Sequence, residues 1–194
     1  MATSTPDDAA PEPREAVLET VSAQAAAIDE LLDLARQRLQ IFDVDLSQGG
    51  WNTAQRADRL AAFLRRNRKA RVEAIVHDPR WLEASCPRLL TLLKLHSHAI
   101  TIYRTGPEAR SAMDPLLIVD GRHFLHRFHI DQPRAALGVE QPALARPLVM
   151  RFEQIWATGS RASARRCSAF DDKIAQVLSA ASGVRPSHNP RIAS

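Results

Sequence analysis

The residues whose types and spacing could do chemistry gather between positions 111 and 130. Asp120-Gly121 separates two strand-like runs, one ending at Val119 and one covering 122–130. Asp120, His123 and Arg127 place a carboxylate, an imidazole and a guanidinium on one short hairpin, with Arg122 beside them. These are the side chains a hydrolase would draw on. The bland reading of the same residues is a turn, because Asp-Gly between apolar runs is a strong hairpin signal. His123, His126 and His129 raise a metal site, since zinc favours imidazole. On a strand, however, His126 faces away from the other two, and those two lie ~20 Å apart, so no metal is expected. No motif implies a cofactor.

A second group is a binding candidate. Arg65, Arg66, Arg68, Lys69 and Arg71 crowd a helix end and the start of a strand, a candidate contact for a polyanion. Cations at a helix C-terminus also suit the dipole without any ligand. Arg161, Arg165 and Arg166 form a weaker basic cluster near the end of the chain. His77 at a strand end carries a functional flag, because α/β proteins gather ligands there. Asp43 and Asp45 point the same way on one strand, which reads first as an exposed or edge face. His96 and His98 close a helix. Trp51, Trp81 and Trp156 read as core or lid anchors.

Charge is unevenly spread. Residues 1–33 carry eight acids against Arg14 alone, so the remainder holds +11 of a chain whose net charge is +4. Of 26 basic residues only Lys69, Lys94 and Lys173 are lysines. Cys86 and Cys167 form no CxxC unit and read as thiols in a reducing compartment. The acidic, proline-rich start lacks the basic and apolar regions of a secretory signal, and no apolar run spans a membrane. The expected location is the cytoplasm, with no membrane partner.

The elements that must position these residues alternate. Residues 1–14 read as a disordered acidic tail, 15–158 as one α/β domain, and 159–194 as a basic linker and tail with a short helix near 170–178. Apolar spacing predicts helices over 15–39, 54–67, 87–95 and 144–156. Strands are expected at 40–46, 71–77, 99–103, 116–120 and 122–130, and a proline-containing loop leads into the last helix. Their mixed apolar character suggests some edge exposure for the first three.

That order, with its segments, resembles one half of the phospholipase D superfamily fold. Residues 61–76 are similar to a helix ending in a basic turn that re-enters the sheet, 89–103 to a leucine-rich helix followed by a short strand, and Phe152 to Trp156 to the Phe-x-x-x-Trp close. The resemblance implies a mixed β-sheet flanked by helices on both faces. The family's HxKxxxxD motif is largely lost: its His and Lys positions hold Met113 and Pro115, and only Asp120 remains. The GSxN slots hold Arg127, Phe128 and Ile130. A thioether and a proline ring supply neither a phosphorus nucleophile nor a fixed cation. The resemblance therefore implies a non-catalytic binding or regulatory module, a homodimer about a two-fold axis, and an accessory role beside an acetyltransferase. Nucleic acid or another polyanion is the ligand expected of the basic face. The alternatives are a divergent hydrolase or phosphodiesterase built on the Asp120 hairpin, and a structural dimeric interaction protein.

Overall fold

A computed structural model describes residues 11–163. In chain order the elements are β1 (Arg14–Leu18), α1 (Val21–Leu34), β2 (Arg38–Asp43), α2 (Ala54–Arg66), β3 (Arg71–Val76), α3 (Arg80–Ser85), α4 (Pro87–Leu95), β4 (Ile100–Arg104), β5 (Leu116–Val119), β6 (His123–Arg127), β7 (Ala135–Val139) and α5 (Pro142–Ser163). The strands form one sheet in the order β1-β7-β6-β5-β2-β3-β4. β2, β3 and β4 are parallel, and every pairing from β2 outward to β1 is antiparallel.

Strand alternation divides the core in two. Leu39, Ile41, Val72, Leu117 and Val119 face α1, α2 and α4, where Leu31, Leu32, Leu60, Phe63 and Leu92 meet them. Phe42, Ile75, Leu116, Ile118 and Phe124 face α5 and its Phe152 and Ile155. Helices thus cover both faces, and β2 is central and buried rather than at an edge. Local signals set the helix starts. The Thr53 hydroxyl accepts the Arg56 N–H and caps α2, a contact worth about 1 kcal/mol. Pro87 opens α4, where its missing N–H has no helical partner to lose.

Four expectations are corrected. The predicted helix over 15–39 is instead a strand, a shorter helix and the start of β2. Thr20 caps α1 by accepting the Ala23 N–H, and β7 supplies a ladder for the residues before it. The 133–142 loop contains β7, whose Ala- and Gly-rich text carries no strand signal of its own. Gly138 fits there because a Cβ would lie 2.3 Å from the Phe124 ring. The segment 80–85, assigned to nothing, is α3. Finally α5 runs to Ser163, through the start of the expected linker. Gly159 acts there as a packing residue, since a Cβ would lie 2.4 Å from Ile75 Cδ1. The expected helix at 170–178, Arg165, Arg166 and Cys167 lie outside the described residues.

Candidate functional site

The sheet has two chemically different ends, set by the direction of its parallel strands. β2 runs from Arg38 to Asp43, about 17 Å at the usual rise. At the Asp43 end stand Met113, Pro115 and Arg127. The ladder between β5 and β6 extends past both strands, with the Arg127 N–H donating to Pro115 O at 2.9 Å and the Ile130 N–H to Met113 O at 2.8 Å.

Asp43, Gln48, Pro115 and Arg127 line a small cavity of about 50 Å³, walled by Ile28 and Trp51. That is space on the order of a few waters. Arg127 and Asp43 are each 8% exposed. Arg127 Nε donates to Gln132 O at 2.7 Å and Nη1 to Gln48 Oε1. Burial lowers the Arg127 pKa against the attraction of Asp43 and Asp131. Burial also pushes the Asp43 carboxyl up to about 6, although its Oδ1 accepts the Val44 N–H at 2.6 Å. Asp43 is thus no exposed edge residue, because it closes a buried strand end. Asp45 lies past the end of β2, where its carboxylate accepts the Ser47 N–H at 2.9 Å. Gln48 was not among the sequence candidates; only the Gly49-Gly50 break beside it marks the loop as a close approach.

His77 sits at the same end, buried, with Nδ1 2.6 Å from Thr105 Oγ1 and Nε2 2.6 Å from Ala112 O. A carbonyl only accepts, so Nε2 donates to Ala112 O, while Nδ1 pairs with the Thr105 hydroxyl. Both ring nitrogens are committed, and His77 anchors the segment leading to β5.

The opposite end holds Asp120. It and Gly121 have φ of 53° and 68°, and the Arg122 N–H closes the turn on Val119 O. The Asp120 carboxylate accepts the N–H groups of Arg36, Gln37 and Arg38 at 2.7, 2.8 and 2.7 Å. His123 borders the same open depression, with Arg36, Arg38 and Arg122. Its Nδ1 accepts the Glu140 N–H at 2.9 Å and its Nε2 stands 3.3 Å from Glu140 Oε1. Burial lowers its pKa. Asp120 and His123 thus share a depression, and each is bound to backbone. Arg127, the third hairpin candidate, is at the far end of the sheet.

The five-residue basic cluster lies at the Asp120 end. Arg65 and Arg66 end α2, Arg68 and Lys69 form the turn, and Arg71 opens β3 in register with Arg38. Asn67 shapes that turn: its Oδ1 accepts the Lys69 N–H at 2.8 Å, and its Nδ2 donates to Arg36 O at 3.1 Å. All five cations are exposed, and among the described residues none pairs with a carboxylate. Arg38, by contrast, bridges Glu73 at 2.7 Å and Glu153 at 2.9 Å. Met113, Pro115 and Arg127 therefore do not share a cleft with the basic cluster. Cys86 is buried, and burial pushes its thiol up to about 11, away from nucleophilic use.

Solved structures share this architecture. Nuc from Salmonella typhimurium, a phospholipase D family member, aligns over 76% of this chain and 97% of its own at a TM-score of 0.55 and 14% identity. TrmBL2, an archaeal chromatin protein with a novel mode of DNA binding, aligns over 74% of this chain at a TM-score of 0.54 and 11% identity. The match spans 52% of TrmBL2, about half its length. At these identities the likeness establishes the fold. No curated protein matches the sequence. Among the described residues no helix is long and apolar enough to cross a membrane. A family model does match, over residues 20–167, and by it the chain belongs to DUF7931, a domain of unknown function.

Proposed function

We propose that this chain is a non-catalytic phospholipase D-like binding module that contacts a polyanion through Arg65, Arg66, Arg68, Lys69 and Arg71. Residues 14–163, from the start of β1 to the end of α5, serve as the binding domain. The observation that carries the reading is the exposure of all five cations on one end of the sheet, without carboxylate partners among the described residues. Unpaired cations gain from displacing counter-ions on a phosphate backbone, whereas paired ones have already been neutralised. Met113 and Pro115 at the family's His and Lys positions support the absence of phosphodiesterase chemistry. DNA is the polyanion to test first, because TrmBL2 shares the fold and binds DNA.

The measurement is filter binding of a labelled duplex to the full chain. If about five phosphates are neutralised, affinity falls roughly 500-fold between about 50 and 200 mM salt. Arg68→Glu with Lys69→Glu should flatten that dependence and weaken binding. Absent or salt-insensitive binding overturns the reading.

A further inference from the structure

The turn between α4 and β4 carries His96, Ser97 and His98, and it stands at the basic end of the sheet, one strand over from Arg71. β3 and β4 run parallel at about 4.8 Å. The Val72 N–H donates to Ala99 O at 2.8 Å, which joins the residue after Arg71 to the residue after His98. α2 and α4 lie on the same face of the sheet, and both end here, α2 with Arg65 and Arg66 and α4 with Lys94.

The two imidazoles take no part in shaping this turn. Backbone makes it: the His96 N–H donates to Leu92 O at 2.9 Å, and His96 O accepts the N–H groups of Ala99 and Ile100 at 2.8 and 2.9 Å. The rings stand 6.3 Å apart, with His98 exposed and His96 half-buried. Among the described residues neither ring has a hydrogen-bond or carboxylate partner. The charged groups of the turn and its neighbour are cations, Lys94 on one side and Lys69 and Arg71 on the other. The carboxylates of the surrounding elements are elsewhere. Asp58 belongs to the first half of α2, Glu83 to α3 at the other end of the sheet, and Glu73 and Glu153 are bridged by Arg38. An arriving phosphate is the partner that two such rings lack, and it favours their charged form.

We propose that His96 and His98 extend the polyanion-binding face onto the α4–β4 turn and couple nucleic-acid binding to proton uptake. Each ring gains a proton as the complex forms and donates an N–H to a phosphate oxygen. A phosphodiester keeps its charge near neutral pH, so the change lies in the protein, and affinity rises as pH falls from about 8 to 6. This deepens the polyanion proposal above and rests on it.

The test is binding of the full chain to the same labelled duplex at pH 8 and pH 6, at fixed salt. The parent should bind roughly tenfold tighter at pH 6, since one added phosphate contact is worth about that much near 0.1 M salt. Its salt dependence should also be steeper there, by about 0.9 in the log–log slope for each phosphate gained. His96→Gln with His98→Gln should bind as the parent does at pH 8 and gain less than about twofold at pH 6. His96→Lys with His98→Lys fixes the charge and should bind at pH 8 about as tightly as the parent at pH 6. The lysine variant carries the test even if the glutamine variant has a lower urea midpoint, because a merely structural role for the rings predicts no gain at pH 8. Salt-dependent binding without a pH response, or a response kept in the glutamine variant, overturns this proposal and leaves the basic cluster standing. No binding by the parent at either pH in low salt overturns both.

Discussion

Asp120 accepts the backbone N–H of Arg38 at 2.7 Å, while the Asp120 N–H donates to Arg38 O at 2.9 Å. This reciprocal pair ties the β5–β6 turn to the first residue of the central strand. The carboxylate that the phospholipase D resemblance marks as the last trace of a catalytic motif is thus committed to positioning backbone.

Asp120→Ala should destabilise the protein by about 1–3 kcal/mol, because three N–H groups lose their acceptor and alanine tolerates the left-handed turn poorly. Asp120→Asn keeps an acceptor oxygen and should lose less. Urea unfolding decides: the midpoint should drop with the slope unchanged. An Asp120→Ala protein as stable as the parent would refute this role.

Asp43 predicts a pH dependence of definite sign. Its folded pKa, pushed up to about 6 from an ordinary 3.8, means that the folded state holds a proton the unfolded state has released. Stability therefore falls as pH rises from about 4 to 6 and is flat above, by on the order of 3 kcal/mol. Asp43→Asn should remove most of that slope and be the more stable protein at neutral pH. Chemical denaturation across the window, with the parent and the variant side by side, reads this directly.

Gly138→Ala should cost about 1–3 kcal/mol, since the new methyl would sit 2.3 Å from Phe124 Cε1. Phe124→Leu opens space at the same point. The double variant should recover part of the loss, and a thermodynamic cycle showing simple additivity would reject direct contact as the cause.

The legible parts of the fold were those with local causes. Thr53 marks α2, Pro87 marks α4, and Asp120-Gly121 marks the hairpin, each by its own backbone chemistry. β1 and β7 were not legible, because Ala135–Val139 becomes a strand only between β6 and β1, partners distant in sequence. The site followed the same rule. That Met113 and Pro115 stand where the phospholipase D resemblance expects a histidine and a lysine is readable by counting. That Asp43 would be buried in one cavity with Arg127 is not, for the two lie on strands separated by β5. Nor could spacing tell that the amides of Arg36, Gln37 and Arg38 would claim the Asp120 carboxylate. The basic cluster was legible as charge, and its lack of carboxylate partners among the described residues needed coordinates.

β1 has a further consequence. The family match begins at residue 20, after Arg14–Leu18, yet that short strand covers the outer flank of β7. Uncovered, β7 would present a row of unpaired peptide groups with small, uncharged side chains, a ready template for joining sheets end to end. β1 presents Arg14 and Glu15 instead, preceded by Pro11 and Pro13, which cannot donate to a neighbouring strand. In a version of the domain trimmed to that match, β7 in place of β1 would form the edge of the sheet.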